Sequence, residues 1–449
     1  MKKAAAAVRL VIKNILFIGF TVQICLGLIW MAANFTKVQD FTPVDTGVYP
    51  LFLRVAGRWP GLVYLLQLGA AFYAGCRLLK SLGVSQKICL WGSLALLTLP
   101  MAMQCHMALL PYSFVASLAQ LELSFAWESA EEGEKSGEGA LWGSLACFGA
   151  QCLLWPEYCI PGAVLPLLLL LRRLPGMLRK KERLFRGLLL VVCFAAVTAA
   201  GWAAERSEES AGGGTPGWNW LLAKRFGWPT IWADWGGAPE ELGLTDSNEV
   251  WWGAYYPSYM DIYVKPGLET MTPEAGAAVM KKMVSRAWRI HYPMIVRQIG
   301  WDVLGYSVTP VILPLQLAGD AYDSCSGRNY EIMRGGTPVL AKYYVRVSCG
   351  WFTVSLVLLA GALASGCIGR FLQAKEEGKT RRVCLSRVFP YFAAAVSAGA
   401  AVLFFTIQGA GIMDYKYTVW INQLWIVWSI AAAGFDGKNQ DRRNRVSAV

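Results

Sequence analysis

Ten apolar stretches constrain the fold of this chain more than any other feature of its sequence. A stretch of about 20 apolar residues is long enough for an α-helix to span a bilayer. Only 16% of the 449 residues are charged and the mean hydropathy is +0.39, whereas about 25% of the residues of a soluble protein are charged. These values exclude an ordinary cytosolic enzyme, a disordered chain and a nucleic-acid-binding protein. They predict an all-α polytopic membrane protein with spans at 10–33, 60–79, 87–103, 107–126, 140–155, 158–172, 187–204, 349–369, 388–409 and 417–434.

Spans five and six have two alternative interpretations, a single long helix over 139–171 or a hairpin that is broken at the prolines of 155–157 and 160–162. A single helix would place the basic residues of 172–186 on the opposite side of the membrane from the basic N-terminus. That arrangement conflicts with the concentration of Lys and Arg in cytoplasmic loops. We therefore predict the hairpin, with ten spans and both termini in the cytoplasm.

The distribution of charge agrees with this topology. The predicted cytoplasmic segments contain 25 of the 42 lysine and arginine residues, and the short outer loops contain four. Residues 205–346 contain 13 basic and 15 acidic residues, a net charge of −2, so the rest of the chain carries +14 and the two parts together give +12. Long domains cross the membrane largely regardless of their charge. We predict a seven-helix module at 1–204, an extracytoplasmic segment of mixed and irregular structure at 205–346, and three helices with a basic cytoplasmic tail at 347–449.

The N-terminal apolar run also resembles a secretory signal. It is longer than the usual 7–15 residues of such a signal, so we interpret it as an uncleaved first helix. The two histidines, His106 in an outer turn and His291 in the long outer segment, are too few and too separated to predict a zinc site. Glu122 is the only acidic residue within a predicted span, and its place near the cytoplasmic end of span four indicates an interfacial position.

The first outer loop contains two carboxylates, Asp40 and Asp45, just beyond the end of span one. A carboxylate at this depth can act as a general base or as a metal ligand for a reaction at the membrane face. The alternative is that both are solvated loop and cap residues. The following residues, Thr46 to Arg58, predict a short amphipathic helix lying on the bilayer surface.

The segment 205–346 is rich in tryptophan and tyrosine, which suit a surface that meets lipid headgroups and also suit sugar stacking. Thr272 followed by Pro273 predicts a helix start, with a cap residue and a proline in the first turn. The helix that follows has an apolar row and several basic residues, including Arg289, with Arg297 further along. Such a helix binds anionic headgroups or a polyprenyl phosphate, or it serves as an interfacial anchor.

Three further polar residues lie in predicted outer turns. Glu157 lies between spans five and six, on the same side as Asp45. Asp414 and Lys416 precede span ten, where both can extend to the interface, or Lys416 can pair with a phosphate as a point charge.

The order of these parts resembles the GT-C superfamily of membrane glycosyltransferases, which includes protein O-mannosyltransferases and aminoarabinose transferases of lipid A. In that family a seven-helix module carries its catalytic acid in the first outer loop, and a large extracytoplasmic segment commonly follows helix seven. Asp45 with Tyr49 four residues later is similar to the loop acid and tyrosine of the family. Residues 288–293 resemble a juxtamembrane helix of related bacterial proteins, and 414–417 resemble the entry to the last helix. The chain lacks the Trp-Trp-Asp motif of oligosaccharyltransferases, which argues against transfer of an oligosaccharide en bloc.

The resemblance implies transfer of a sugar from a polyprenyl-phosphate donor to an extracytoplasmic glycan, lipid or protein at the outer membrane face, without nucleic acid. Asp45 is the expected base, with Asp40 as the second candidate. The resemblance leaves open whether the enzyme uses a divalent metal, Mg²⁺ or Mn²⁺, and it implies no other cofactor. Two other functions remain, a transporter or flippase of lipid-linked sugars and a non-catalytic membrane scaffold. Transporters tend to have internal repeats and ionisable residues at mid-membrane, and the sequence suggests neither. The expected substrate-binding residues are Tyr49, Glu157, Arg289, Arg297, Asp414 and Lys416.

Overall fold

The computed structural model of this chain consists of helices and short turns in the residues that it describes. These are 48–56, 59–81, 86–97, 111–131, 136–178, 186–200, 217–232, 264–308 and 381–408, with isolated positions between 11 and 28 and at 106, 242, 260 and 368. No strand occurs in these ranges. The predicted all-α class is therefore confirmed for the described part of the chain.

The chain divides into two compact units, one of residues 1–201, 307–401 and 415–449 and one of residues 202–306 and 402–414. Helices of the first unit are α1 (Tyr49–Ala56), α2 (Pro60–Ser81), α3 (Gln86–Leu97), α4 (Tyr112–Glu131), α5 (Ser136–Leu154), α6 (Cys159–Leu178), α7 (Arg186–Ala200) and the first part of α13 (Arg381–Gln408). Helices of the second unit are α8 (Gly217–Leu222), α9 (Trp228–Trp232), α10 (Lys265–Glu269), α11 (Pro273–Ile290) and most of α12 (Tyr292–Val308).

The described helices follow the apolar stretches of the sequence. Helices α2 to α7 overlap predicted spans two to seven in order, and α13 overlaps span nine. The short helix expected between Thr46 and Arg58 is α1. Spans eight and ten lie almost entirely outside the described residues. Helix α4 continues to Glu131, five residues past the predicted end of span four.

Residues 139–171 form two helices, as the hairpin interpretation predicts. Trp155 precedes a proline and has an extended conformation, with φ −149° and ψ 90°, because the proline ring disfavours helical geometry in the preceding residue. Helix α5 therefore ends at Leu154, and one turn of 3₁₀-helix, Pro156–Tyr158, leads into α6. Helices α5 and α6 then pack against each other.

Helix α4 is central to the first unit, since it packs against α2, α5 and α6. Its contact with α5 is close because Gly143 of α5 faces the ring of Phe125. A Cβ atom on Gly143 would lie 2.5, 2.6 and 2.8 Å from three carbons of that ring. The absence of a side chain at Gly143 thus sets the distance between the two helices.

One helix among the described residues, Gly61–Ser81 within α2, is long and apolar enough to cross a membrane. Shorter apolar helices cover Gly139–Leu154, Arg186–Ala200 and Phe389–Ala401. The buried core helix of a soluble protein also satisfies this test of length and composition.

In the second unit, α11 packs against α8, α9 and the π-helical turn between them, Ala223–Gly227. The helix begins where the sequence predicts, because the Thr272 side chain accepts a hydrogen bond from the Ala275 backbone N–H. The apolar row of α11 lies inside this unit. Its buried members are Val279, Met280, Met283 and Ala287, which contact Trp220, Trp228, Ile231 and Phe226 among others. This row is therefore part of a protein core and is not the surface that would enter a lipid layer.

The Gly143→Ala substitution tests the close approach of α4 and α5. We expect the free energy of unfolding to fall by about 1–3 kcal/mol, the usual effect of overpacking a core, because the new methyl group meets the Phe125 ring. Denaturant unfolding in detergent solution measures this change.

Gly139→Ala, one turn earlier on α5, is the matched control. Its Cβ would meet nothing within 4 Å, so alanine's better helix propensity should leave stability unchanged or slightly higher. Equal losses in both variants would contradict the close packing.

Candidate functional site

The end of the first outer loop is attached to the α5–α6 turn. The Val48 backbone N–H donates a hydrogen bond of 2.7 Å to the Leu153 carbonyl oxygen. Four residues after Leu153, Glu157 forms part of the 3₁₀ turn Pro156–Tyr158. Two segments that the sequence predicts on the same side of the membrane thus meet at one end of the first unit.

Tyr49, the first residue of α1, is fully buried at this end. Its hydroxyl accepts a hydrogen bond of 3.2 Å from Gln67 Nε2 of α2. Its ring contacts Phe52 of α1 and Phe114 of α4, with centroids 5.6 and 6.4 Å apart. The structure therefore gives Tyr49, a predicted substrate-binding residue, a packing role that holds α1 against two neighbouring helices.

Aromatic side chains continue around the same end. The Trp155 ring contacts Tyr112 at the start of α4, with centroids 4.7 Å apart, and stacks on Tyr158 at 5.6 Å. His106 is also buried here, with its Nδ1 atom 2.7 Å from Ser113 Oγ. Burial lowers the pKa of His106 to about 3, because a charged imidazolium loses its hydration. His106 is therefore neutral at physiological pH.

None of the remaining predicted site residues has a described side chain in the first unit. Asp40, Asp45, Asp414 and Lys416 lie outside the described residues, and for Glu157 only the backbone is described. Arg289 and Arg297 are exposed on α11 and α12 of the second unit.

A second polar cluster lies in the middle of α4, where the sequence indicated only an interfacial acid. Glu122 is 3% exposed, and its two carboxyl oxygens accept hydrogen bonds from Gln151 Nε2 at 3.1 Å and Ser144 Oγ at 3.5 Å. Glu122 lies near the middle of α4, because the helix extends to Glu131, and its side chain is buried in the protein; its predicted interfacial depth stays a prediction. Ser144 and Gln151, two polar residues in the apolar stretch of α5, are the sequence signal that could have predicted the buried position of Glu122.

Arginines gather at the opposite end of α4. Arg77 of α2 forms a salt bridge of 3.1 Å with Glu128. Arg173 of α6 donates to Ser129, from Nε to Oγ at 3.3 Å and from Nη2 to the carbonyl oxygen. Arg172 lies over the Phe389 ring of α13 at 4.4 Å. Basic residues from two predicted cytoplasmic segments thus meet at one end of the first unit.

Within the described ranges, no three His, Cys, Asp or Glu side chains are close enough together to hold a metal ion. Asp40 and Asp45 of the first outer loop, which could act as metal ligands, lie outside those ranges. No protein-family model matches this chain, and no curated protein or solved structure matches it.

Stability should depend on pH through His106. Its pKa is lower in the folded state than the ordinary value of 6.5, so below pH 6.5 the unfolded chain binds a proton that the folded chain does not. The free energy of unfolding is therefore unaffected by this group above pH 6.5, and it decreases as the pH falls from 6.5 towards 3. Thermal unfolding in detergent from pH 7.5 to 4.5 measures the loss.

The His106→Asn variant provides the comparison, because asparagine does not titrate in this range. We expect its melting temperature to fall less steeply with acidification than that of the wild type. Parallel curves for the two proteins would show that His106 is not buried in neutral form.

Proposed function

We propose that this protein is a multi-pass membrane glycosyltransferase of the GT-C type. It would take a sugar from a polyprenyl-phosphate donor at the outer face of a cell membrane and give it to an extracytoplasmic acceptor. Membrane lipid and the lipid-linked donor are its partners, and the N- and C-termini are cytoplasmic. The proposal keeps the ten spans and the outer segment 205–346 that the sequence predicts.

The distribution of polar and apolar side chains supports a bilayer. Buried side chains of the first unit include many polar ones, among them Gln67, Ser93, Ser117, Gln120, Glu122, Ser144 and Gln151. Its exposed side chains include many large apolar ones, among them Leu62, Leu65, Leu66, Ile160, Leu171, Leu188, Val192 and Phe392. The core of the unit also contains many apolar side chains, and exposed apolar side chains in this number mark a surface for contact with a membrane or another protein. In lipid, polar groups must find partners inside the protein.

Helix α1 adds a second argument for a membrane surface. Tyr49 and Ala56 face inward, whereas Leu51, Val55 and Trp59 are exposed. These three residues recur every four positions, so they form one apolar row along the helix and just beyond its end. Such a row suits a helix that lies in the interfacial layer.

The arginine end supports the predicted orientation. Arg77 and Arg173 meet the C-terminal part of α4, whereas Tyr112 contacts Trp155 at its N-terminal end. Lys and Arg concentrate on the cytoplasmic side of membrane proteins. The end that contains Tyr49 and the α5–α6 turn is then the extracytoplasmic one.

The hydrogen bond from Val48 N–H to the Leu153 carbonyl oxygen is the observation that most directly supports a reaction site here. It fixes the C-terminal end of the acid-bearing loop beside the turn that contains Glu157. Asp45 precedes Val48 by three residues, so chain length alone keeps its Cα within about 11 Å of Val48. The candidate base is thus tied to the outer end of the bundle.

The chemistry is a direct displacement at the anomeric carbon. Asp45 accepts the proton of the acceptor hydroxyl as the acceptor oxygen bonds to that carbon. The bond between the carbon and the donor phosphate breaks, and the phosphate leaves with the electron pair. Lys416 is the candidate cation for the phosphate, since neutralising its charge lowers the barrier to departure. Glu157 belongs to the proposed surroundings of the substrates, and the fully buried Tyr49 supports α1 there without contacting them.

Loss of the base should abolish most of the transfer. We expect Asp45→Asn to reduce kcat by about 10²–10⁴-fold, the usual contribution of a general base. The assay follows a labelled sugar from a polyprenyl-phosphate donor with purified protein in nanodiscs.

Asp40→Asn is the second variant, and Glu274→Gln, at an exposed position of α11, is the control with full activity expected. If Asp45→Asn and Asp40→Asn both keep full activity, the assigned chemistry is wrong.

A second candidate function is transport of a lipid-linked sugar across the membrane. The buried Glu122 favours it, because ionisable residues inside a membrane bundle often belong to ion or substrate pathways. Its partners Gln151 and Ser144 come from the adjacent α5. A non-catalytic scaffold has no comparable observation in its favour.

Glu122→Gln separates the two functions. Under the transport hypothesis, pH-gradient-driven uptake of a lipid-linked sugar into proteoliposomes should be lost, because the amide cannot exchange a proton. Glu128→Gln is the control, since Glu128 is partly exposed and pairs with Arg77. If Glu122→Gln retains both uptake and glycosyl transfer, Glu122 has only a packing role.

A further inference from the structure

The junction between α11 and α12 forms an exposed bend in the second unit. His291 leaves the helical conformation, with φ −113° and ψ 20°, and the next helix starts at Tyr292, just before Pro293. Backbone N–H groups of Met294 and Ile295 donate to the His291 carbonyl oxygen. We call the surface formed by residues 281–297 around this bend the elbow.

The inner side of the elbow is fixed to the core of the second unit. Ala287 and Ile295, one on each helix, are buried together with Phe226. Val284 and Ile299 pack against the same cluster. This packing holds the bend in position, so the side chains on its outer side project from a fixed backbone.

The outer side of the elbow carries an apolar row. Trp288, Tyr292 and Val296 are 41%, 57% and 55% exposed, and they recur every four positions. Ile290, at the end of α11, is exposed beside them. One edge of Trp288 rests on Phe226, with ring centroids 5.5 Å apart, while much of the indole remains uncovered. Large side chains in this number are unusual on a surface that faces only water.

Exposed basic residues accompany the apolar ones. Lys281 and Arg289 of α11 and Arg297 of α12 are all exposed. No acidic residue occurs between Glu274 and Asp302 in the sequence, whereas five basic ones do. The elbow is therefore both apolar and strongly positive, and its complement must be apolar and negative.

We propose that the elbow docks the second unit onto the headgroup layer of an anionic lipid bilayer. The Trp288 and Tyr292 rings enter the interfacial layer with Val296, and the arginines contact lipid phosphates. Trp and Tyr prefer this layer because they are apolar with a polar tip. Each Lys or Arg near an anionic surface adds about 1 kcal/mol of attraction. An acidic protein surface would match the charge but not the continuous apolar row.

The lipid-contacting surface proposed here is not the apolar row that the amphipathic pattern of α11 indicates. That row packs into the core of the second unit, so the exposed residues on the outer side of the elbow contact the lipid. The proposal requires a membrane but no particular reaction, and it holds for either an enzyme or a transporter.

Photo-crosslinking of the full chain tests the docking. p-Benzoylphenylalanine replaces Tyr292, and the protein is illuminated in nanodiscs of phosphatidylcholine with or without phosphatidylglycerol. We expect lipid adducts by mass spectrometry, with a higher yield when phosphatidylglycerol is present. The same replacement at Thr270, an exposed position outside the elbow, should give few.

Substitutions of the exposed arginines test the electrostatic part of the docking. Arg289→Gln and Arg297→Gln, in the Tyr292-substituted protein, should each lower the phosphatidylglycerol-dependent yield by up to about fivefold. Lys265→Gln, outside the elbow and paired with Glu269, should leave it unchanged.

Three results would overturn the proposal: no lipid adduct at position 292, equal yields with and without phosphatidylglycerol, or adducts to protein in place of lipid. Each can arise in a chain that still transfers sugar, so failure here is distinguishable from failure of the proposed function.

Discussion

The packing of α4 within the first unit is the interaction on which the rest of that unit depends. Each part of α4 meets a different neighbour through a polar or aromatic contact: Tyr112 with the α5–α6 turn, Glu122 with α5, and Glu128 with α2. A buried polar group without a partner costs about 1–3 kcal/mol. The hydrogen bonds to Glu122 therefore fix α5 along α4, and Gly143 permits the close approach that they need.

The two ends of α4 have different chemistry as a result. Arginines of α2 and α6 contact one end, and aromatic rings with a buried neutral histidine occupy the other. The aromatic end also holds α1, through the hydrogen bond of Val48 with Leu153 and that of Tyr49 with Gln67. These two hydrogen bonds hold the start of α1 against α2 and the α5–α6 turn, so the aromatic end is joined by contacts between residues distant in sequence.

The second unit shows how one amphipathic helix can serve two surfaces. The regular apolar row of α11 forms the core with α8, α9 and the π-helical turn. Its outer side would be an ordinary solvated face if the chain did not bend at His291. Trp288 and Arg289 before the bend and Tyr292 and Val296 after it are all exposed.

Local features of the sequence were sufficient to predict several elements. Apolar length predicted α2 to α7, the proline at 156 predicted the break between α5 and α6, and Thr272 predicted the start of α11. These succeed because helix length, proline geometry and capping depend on neighbours along the chain. The partners of Glu122, the burial of Tyr49 and the inward direction of the α11 apolar row required the tertiary structure. They depend on residues far apart in sequence, and a pattern in one helix does not show which other helix, or which solvent, will cover it.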